Sequence, residues 1–109
     1  MGRPNQKLRS QIRRVVKGGR SYRGQWLQVR VGRSDPGRTL ISVRKKYGGA
    51  VRRNLARRRL RAICREFGID SLQGHLLMIS LRDEARGVLY RQLRSDLFTA
   101  LAELSLVDR

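Results

Sequence analysis

Residues 44–61 read Arg44-Lys45-Lys46-Tyr47-Gly48-Gly49-Ala50-Val51-Arg52-Arg53-Asn54-Leu55-Ala56-Arg57-Arg58-Arg59-Leu60-Arg61, and two regular patterns meet in this stretch. Leading into it, from Thr39 to Lys45, Ile41 and Val43 alternate with Leu40, Ser42 and Arg44, the period-two pattern of a half-buried strand. Beyond Gly48-Gly49, from Val51 to Phe67, Ala56, Leu60, Ile63 and Phe67 recur at steps of four, three and four and draw one apolar stripe along a helix. Gly68 ends it. At 100° per residue, Arg53, Asn54, Arg57, Arg58, Arg61 and Arg65 share an arc of about 140° beside that stripe.

Working outward, Leu8, Ile12, Val15 and Val16 recur at helical spacing from Asn5 to Lys17, and Gly18-Gly19 closes that helix. From Gln25 to Val31, Leu27, Val29 and Val31 alternate with Gln28 and Arg30, which predicts a strand. Ser34-Asp35-Pro36-Gly37 is a turn signal, so this strand and the one from Thr39 are expected to pair as a hairpin. Leu76 to Leu81 is nearly all apolar, the pattern of a central strand covered on both faces. Asp83 to Gly87 reads as a polar loop. A last helix runs from Tyr90 to Leu106 with Tyr90, Leu93, Leu97, Leu101 and Leu104 as its stripe. The order is α-β-β-α-β-α, with room for one further short strand. No repeat or linker divides the 109 residues, so a single α+β domain over 1–109 is expected, with 1–5 a candidate disordered tip.

Lys and Arg number 26 against 8 Asp and Glu, a formal charge of +18. Nucleic acid, an anionic membrane surface or an acidic protein would suit such a chain. Arginine outnumbers lysine, and its planar fork suits phosphates and base stacking, which favours nucleic acid. No run approaches the ~18 to 20 apolar residues of a membrane span. Met1 to Lys17 lacks the apolar segment of a secretory signal, so a cytoplasmic protein without a membrane partner is expected. One cysteine, Cys64, excludes an internal disulfide and a cysteine-based metal cluster.

A solvated basic helix face is the bland reading of the 44–61 stretch. Against it, the charges share one sign and meet no acidic partner until Glu66, so an isolated helix would repel itself. A phosphate backbone would compensate that repulsion. His75, alone beside an apolar strand, reads as structural, and Cys64 as a small core residue. Gly18-Gly19 and Gly48-Gly49 lack the Lys-Ser/Thr of a phosphate loop and read as turns. Asp35, Glu66, Asp70, Asp83, Glu84, Asp96, Glu103 and Asp108 are scattered and suggest no two-metal site. No catalytic residue, no metal ligand and no small-molecule substrate is expected.

The same stretch resembles the signature of bacterial ribonuclease P proteins, Lys-Lys-x-Gly-x-Ala-Val-x-Arg-Asn-Arg-x-Lys-Arg-x-x-Arg. Lys45, Lys46, Gly48, Ala50, Val51, Arg53, Asn54, Arg58 and Arg61 agree, and Arg57 replaces a lysine. Leu55 stands where the family usually has the last arginine of Arg-Asn-Arg. Ile12, Val15 and Gly19 sit at the spacing of the family's Phe-x-x-Val-x-x-x-Gly opening. The tail is similar too, with the apolar strand, the Arg82 to Gly87 loop and Tyr90-x-x-Leu-x-x-Asp96-Leu97.

The resemblance implies an α/β sandwich of the kind also seen in a ribosomal protein domain, with a left-handed βαβ crossover against the general rule. It implies that Arg53, Asn54, Arg57, Arg58, Arg61 and Arg65, with Lys45 and Lys46, bind the ribonuclease P RNA. It also implies a cleft between the sheet and the first helix for the leader of precursor tRNA. Candidates there are Ile12, which takes the place of the family's stacking phenylalanine, Arg13, Tyr22, Trp26, Gln28, Arg30, Ser42 and Arg44. For Tyr22 and Trp26 a core or rim place is an equal alternative. In the family the RNA subunit holds Mg²⁺ and performs the hydrolysis, so no cofactor is expected on the protein chain itself. The alternatives are a structural RNA-binding protein of ribosomal type, or a basic membrane-active or DNA-compacting protein lacking a sheet core.

Overall fold

The structure is a computed structural model that describes residues 6–35, 37–70 and 73–107. The expectations for residues 1–5 and for the turn at Pro36 fall outside them, as does Asp108. The elements run α1 (Gln6–Gly18), β1 (Arg20–Arg23), β2 (Leu27–Arg33), β3 (Arg38–Val43), α2 (Ala50–Glu66), β4 (His75–Leu81) and α3 (Tyr90–Glu103). Short 3-10 turns at Lys45–Tyr47 and Asp83–Ala85 follow β3 and β4. This α+β fold has four strands where two well-patterned segments and the 76–81 run predicted three. The added strand, β1, reads Arg-Ser-Tyr-Arg and has too little apolar alternation to announce itself.

The sheet order is β1-β2-β4-β3. β4 lies between its neighbours, antiparallel to β2 and parallel to β3. The expected β2–β3 hairpin is therefore absent. β4, the most apolar of the strands, takes the position between the two. β3, α2 and β4 form a parallel βαβ unit in which a helix supplies the long connection that parallel pairing needs.

Alternation along the strands decides what each face meets. Leu27, Val29, Val31, Leu77, Ile79 and Leu81 point to one side and are buried there against Ala56, Leu60, Ile63 and Cys64 of α2 and Leu93, Leu97, Ala100 and Leu101 of α3. Tyr90, assigned to the α3 stripe, is instead exposed at the first position of the helix, before the stripe turns inward. The end of α2 is tied to α3 where Glu66 accepts two hydrogen bonds from Arg94, at 2.9 and 2.6 Å. The Arg94 guanidinium lies 5.0 Å from the Phe67 ring centre.

α1 covers the opposite face at one end. Val15 is buried, and a methyl group at Gly32 would come within 2.8 Å of its Cγ2. Only a residue without Cβ lets the helix sit this close to β2. Leu76 is fully buried on this side, and Gln11 donates to the Asp35 carbonyl at 3.0 Å. The layers are α1, then the sheet, then α2 with α3.

Candidate nucleic-acid interface

α2 carries seven arginines among its 17 residues. Ala56, Leu60, Ile63 and Cys64 sink one stripe into the core, which turns the remaining arc outward. Asn54, Arg58, Arg61 and Arg65 are exposed, and Arg53 and Arg57 half-buried. Asn54 accepts from Arg57 Nη1 at 3.1 Å. Among the described residues no α2 arginine forms an ion pair, because Glu66, the one acid on the helix, pairs with Arg94. The Arg53 Nε is sealed from solvent without an acceptor. Lys45 and Lys46 are exposed in the 3-10 turn that leads into the helix. The eight residues expected on this surface thus occupy one helix and the turn before it, and their charge is left unneutralised by the protein.

A second surface lies on the far side of the sheet. Register places Arg23, Gln28, Ser80 and Ser42 in one row across β1, β2, β4 and β3. At about 4.8 Å per strand the row is roughly 14 Å wide. The next row toward α1 is Ser21, Arg30, Met78 and Leu40. Beyond Ser42, Arg44 joins Arg23, Gln28 and Ser80 around a 280 Å³ depression. Its guanidinium stands 3.7 Å from Asp83. Gln28, Arg30, Ser42 and Arg44 are therefore brought together as expected, with a half-buried Ile12 on the sheet-facing side of α1.

Three expected members of the cleft are elsewhere. Tyr22 is opposite Val29 in register, so it faces the helical core rather than the row, and packs against that core. Trp26 sits in the β1–β2 turn against α3, sharing a hollow with Arg91, Ser95 and Asp96. Arg13 is two positions from buried Gln11, about 200° around α1, and projects outward among Ser10, Arg14 and Lys17. Conversely, Arg23 and Ser80 belong to the polar row and were missed. Ser80 was the one polar letter in the run read as covered on both faces, whereas Arg23 lies on the strand that gave no pattern.

The acids hold this arrangement in place. Asp96 accepts from the backbone N–H groups of Gln25, Trp26 and Leu27 at 3.1, 2.7 and 3.1 Å, which clamps the β1–β2 turn to α3. Arg82 donates to the Gly24 and Gln25 carbonyls at 3.3 and 3.1 Å and to Glu84 at 2.6 Å. The hydrogen bonds from Arg94 hold Glu66 below its ordinary carboxylate range. Burial, with Asp70 nearby, pushes the Cys64 thiol up to about 11, so it stays protonated and inert near neutrality. His75 lies in β4 with Nδ1 3.2 Å from the Gln73 carbonyl, a local contact.

A family model described as Ribonuclease P matches residues 5–105. The chain belongs to the ribonuclease P protein family. It is 39% identical over 93 residues to the ribonuclease P protein component of Thermus scotoductus, and the match covers 85% of this chain and 56% of that relative. With the component from Chloroflexus aggregans it shares 33% over 101 residues, 90% of this chain and 75% of the relative. Against the Thermus relatives, then, the chain spans little more than half their length. The ribonuclease P protein of Thermotoga maritima superimposes with a TM-score of 0.71 at 25% identity, covering 89% of this chain and 94% of that one. A Staphylococcus aureus ribonuclease P protein reaches 0.78 at 24% identity, covering 91% and 93%, a likeness of fold. Leu55 and Ile12 stand on two different surfaces, one on α2 and one on α1.

Proposed function

We propose that the chain is the protein subunit of a ribonuclease P, acting in the cytoplasm on precursor tRNA. The observation that carries this reading is the arc of Arg53, Asn54, Arg57, Arg58, Arg61 and Arg65, one-signed and without an ion pair, on a helix whose opposite stripe is locked in the core. Together with Lys45 and Lys46 it suits the phosphates of the RNA subunit. Each neutralised phosphate releases counterions and gives binding a steep salt dependence. The leader of precursor tRNA runs over the row of Arg23, Gln28, Ser80 and Ser42, flanked by Arg30, Arg44 and Ile12. No aromatic side chain belongs to that row, so the leader is held there by hydrogen bonds, charge and apolar contact.

In this reading the RNA subunit binds Mg²⁺ and cuts the phosphodiester. The protein offsets repulsion between two RNAs and fixes which phosphodiester meets the metal, a positioning effect. The test is cleavage of a 5′-labelled precursor tRNA by the cognate RNA subunit at low Mg²⁺. Wild-type protein is expected to restore correct cleavage, and the Arg57→Glu/Arg58→Glu variant to fail at the same concentration. Stimulation no greater than that from an unrelated basic protein would reject the reading in favour of a ribosomal-type structural RNA-binding protein.

A further inference from the structure

α2 has a second basic flank that the proposed docking face does not use. Leu55 is 41% exposed and opens a 290 Å³ groove between α2 and the turn after β4. Tyr47 and Ala56, both buried, line it with Leu55, and Arg52, Arg59 and Arg86 stand around it. At 100° per residue, Leu55 and Arg59 lie roughly 130° and 170° around the helix from the middle of the Arg53–Arg65 arc. The groove is therefore a separate surface. Among the described residues none of its three arginines has a carboxylate partner.

An apolar floor under three unpaired guanidiniums matches one chemistry closely. A nucleobase turned out of its stack presents a flat ring with apolar faces, carried on a ribose flanked by two phosphates, and single-stranded loops and bulges of RNA offer such bases. Guanidinium groups both pair with phosphate and stack on rings. With a volume near the lower end of ligand pockets, which start at roughly 300 Å³, the groove is sized for one such ring and too small for a protein helix.

We infer that this groove seats an unstacked nucleotide of the RNA subunit, its base on Leu55 and its flanking phosphates on Arg52, Arg59 and Arg86. The inference rests on the reading of the chain as a ribonuclease P subunit. The RNA subunit, not the leader, is the occupant, because the groove shares α2 with the proposed docking arc. The leader row lies across the sheet from α2. RNA would then grip α2 from both flanks.

The experiment measures binding of the 109-residue chain to the ribonuclease P RNA across a range of salt concentrations, with wild type, Arg59→Glu/Arg86→Glu, Leu55→Ser and Arg57→Glu/Arg58→Glu. The groove charge variant is expected to bind at least tenfold more weakly and to lower the salt slope by about 0.7 for each phosphate it no longer neutralises. Leu55→Ser is expected to bind about five- to tenfold more weakly with the slope unchanged, the mark of a base that no longer stacks. All substituted side chains are exposed or half-buried, and a thermal melt checks that each variant folds. Wild-type affinity in the groove variants, with binding abolished in Arg57→Glu/Arg58→Glu, would overturn the groove while leaving the docking arc intact. An effect of Arg59→Glu/Arg86→Glu without one of Leu55→Ser would reduce the groove to a diffuse charge and refute the seated base. If wild type binds no better than an unrelated basic protein, the subunit reading falls as well.

Discussion

Replacing Asp96 by alanine removes a single carboxylate that receives three backbone N–H groups from the β1–β2 turn. Hydrogen bonds to a charged acceptor contribute about 1.5–3 kcal/mol each, and a buried donor left unmet costs much of that. The Gln25 contact is exposed and water replaces it, but those of Trp26 and Leu27 are partly buried. Two contacts at that scale give a loss of about 3–6 kcal/mol. A domain of this length has roughly 5–15 kcal/mol in total, so the variant gives up a large share of it. Urea denaturation followed by far-UV circular dichroism measures the loss. Asp96→Asn retains one acceptor oxygen and is expected to lose about half as much. Gly24→Ala attacks the same contact from the other side, since its methyl group would lie 2.6 Å from both carboxylate oxygens. Because both substitutions break one clamp, their costs are not expected to add in the double variant. A cost below about 1 kcal/mol for Asp96→Ala, or full additivity with Gly24→Ala, would refute the clamp.

Other outcomes follow from the same geometry. Arg57→Glu/Arg58→Glu is expected to leave the melting temperature nearly unchanged while weakening binding to the ribonuclease P RNA by several kcal/mol and flattening its salt slope, read by titration at several ionic strengths. Gly32→Ala forces Val15 outward and is expected to cost about 1–3 kcal/mol by overpacking, with α1 loosening first in hydrogen exchange. The Cys64 thiol ionises at about 11 in the fold against 9.0 ordinarily. Its raised value makes the unfolded chain give up this proton first, so stability is fully present below pH 9 and is lost as pH rises toward 11. Because Cys64→Ala lacks this group, its stability should fall less than that of wild type across this window, by about 2 kcal/mol.

The helices and the two faces of α2 were readable because they depend on spacing within one segment. Ala56, Leu60 and Ile63 mark the buried stripe, and the arginine arc follows from it by rotation alone. The same holds for Gln28 and Arg30 on β2 and Ser42 on β3, whose faces follow from alternation. What could not be read is which strand lies beside which. The β2–β3 hairpin was expected from a turn signal that is local, whereas the observed order depends on β4, more than thirty residues further along the chain. For Tyr22 and Trp26 the sequence leaves the cleft and a core or rim place as equal alternatives, and the structure has the second. Aromatic side chains beside a basic surface invite a stacking role, but the facing of Tyr22 is set by its register with Val29, and Trp26 is held at α3 by the Asp96 clamp. Arg13 belongs to a second kind of error, since a basic residue next to Ile12 on a helix points a quarter-turn or more away from it.

The position of β4 also bears on how the protein comes into being on the ribosome. The chain emerges from its amino end, and β3 has no neighbour in the sheet other than β4. Until residues 75–81 are synthesised, β2 has only the four-residue β1 to pair with, and α2 has no completed sheet on which to lay its apolar stripe. The sequence before residue 75 is dense in arginine and lacks the strand that completes the sheet. Pairing of the central strand with β2 and β3 completes the sheet on which α2 and α3 pack. A chain stopped short of β4 would be a polycation with the contacts of RNA and none of the shape.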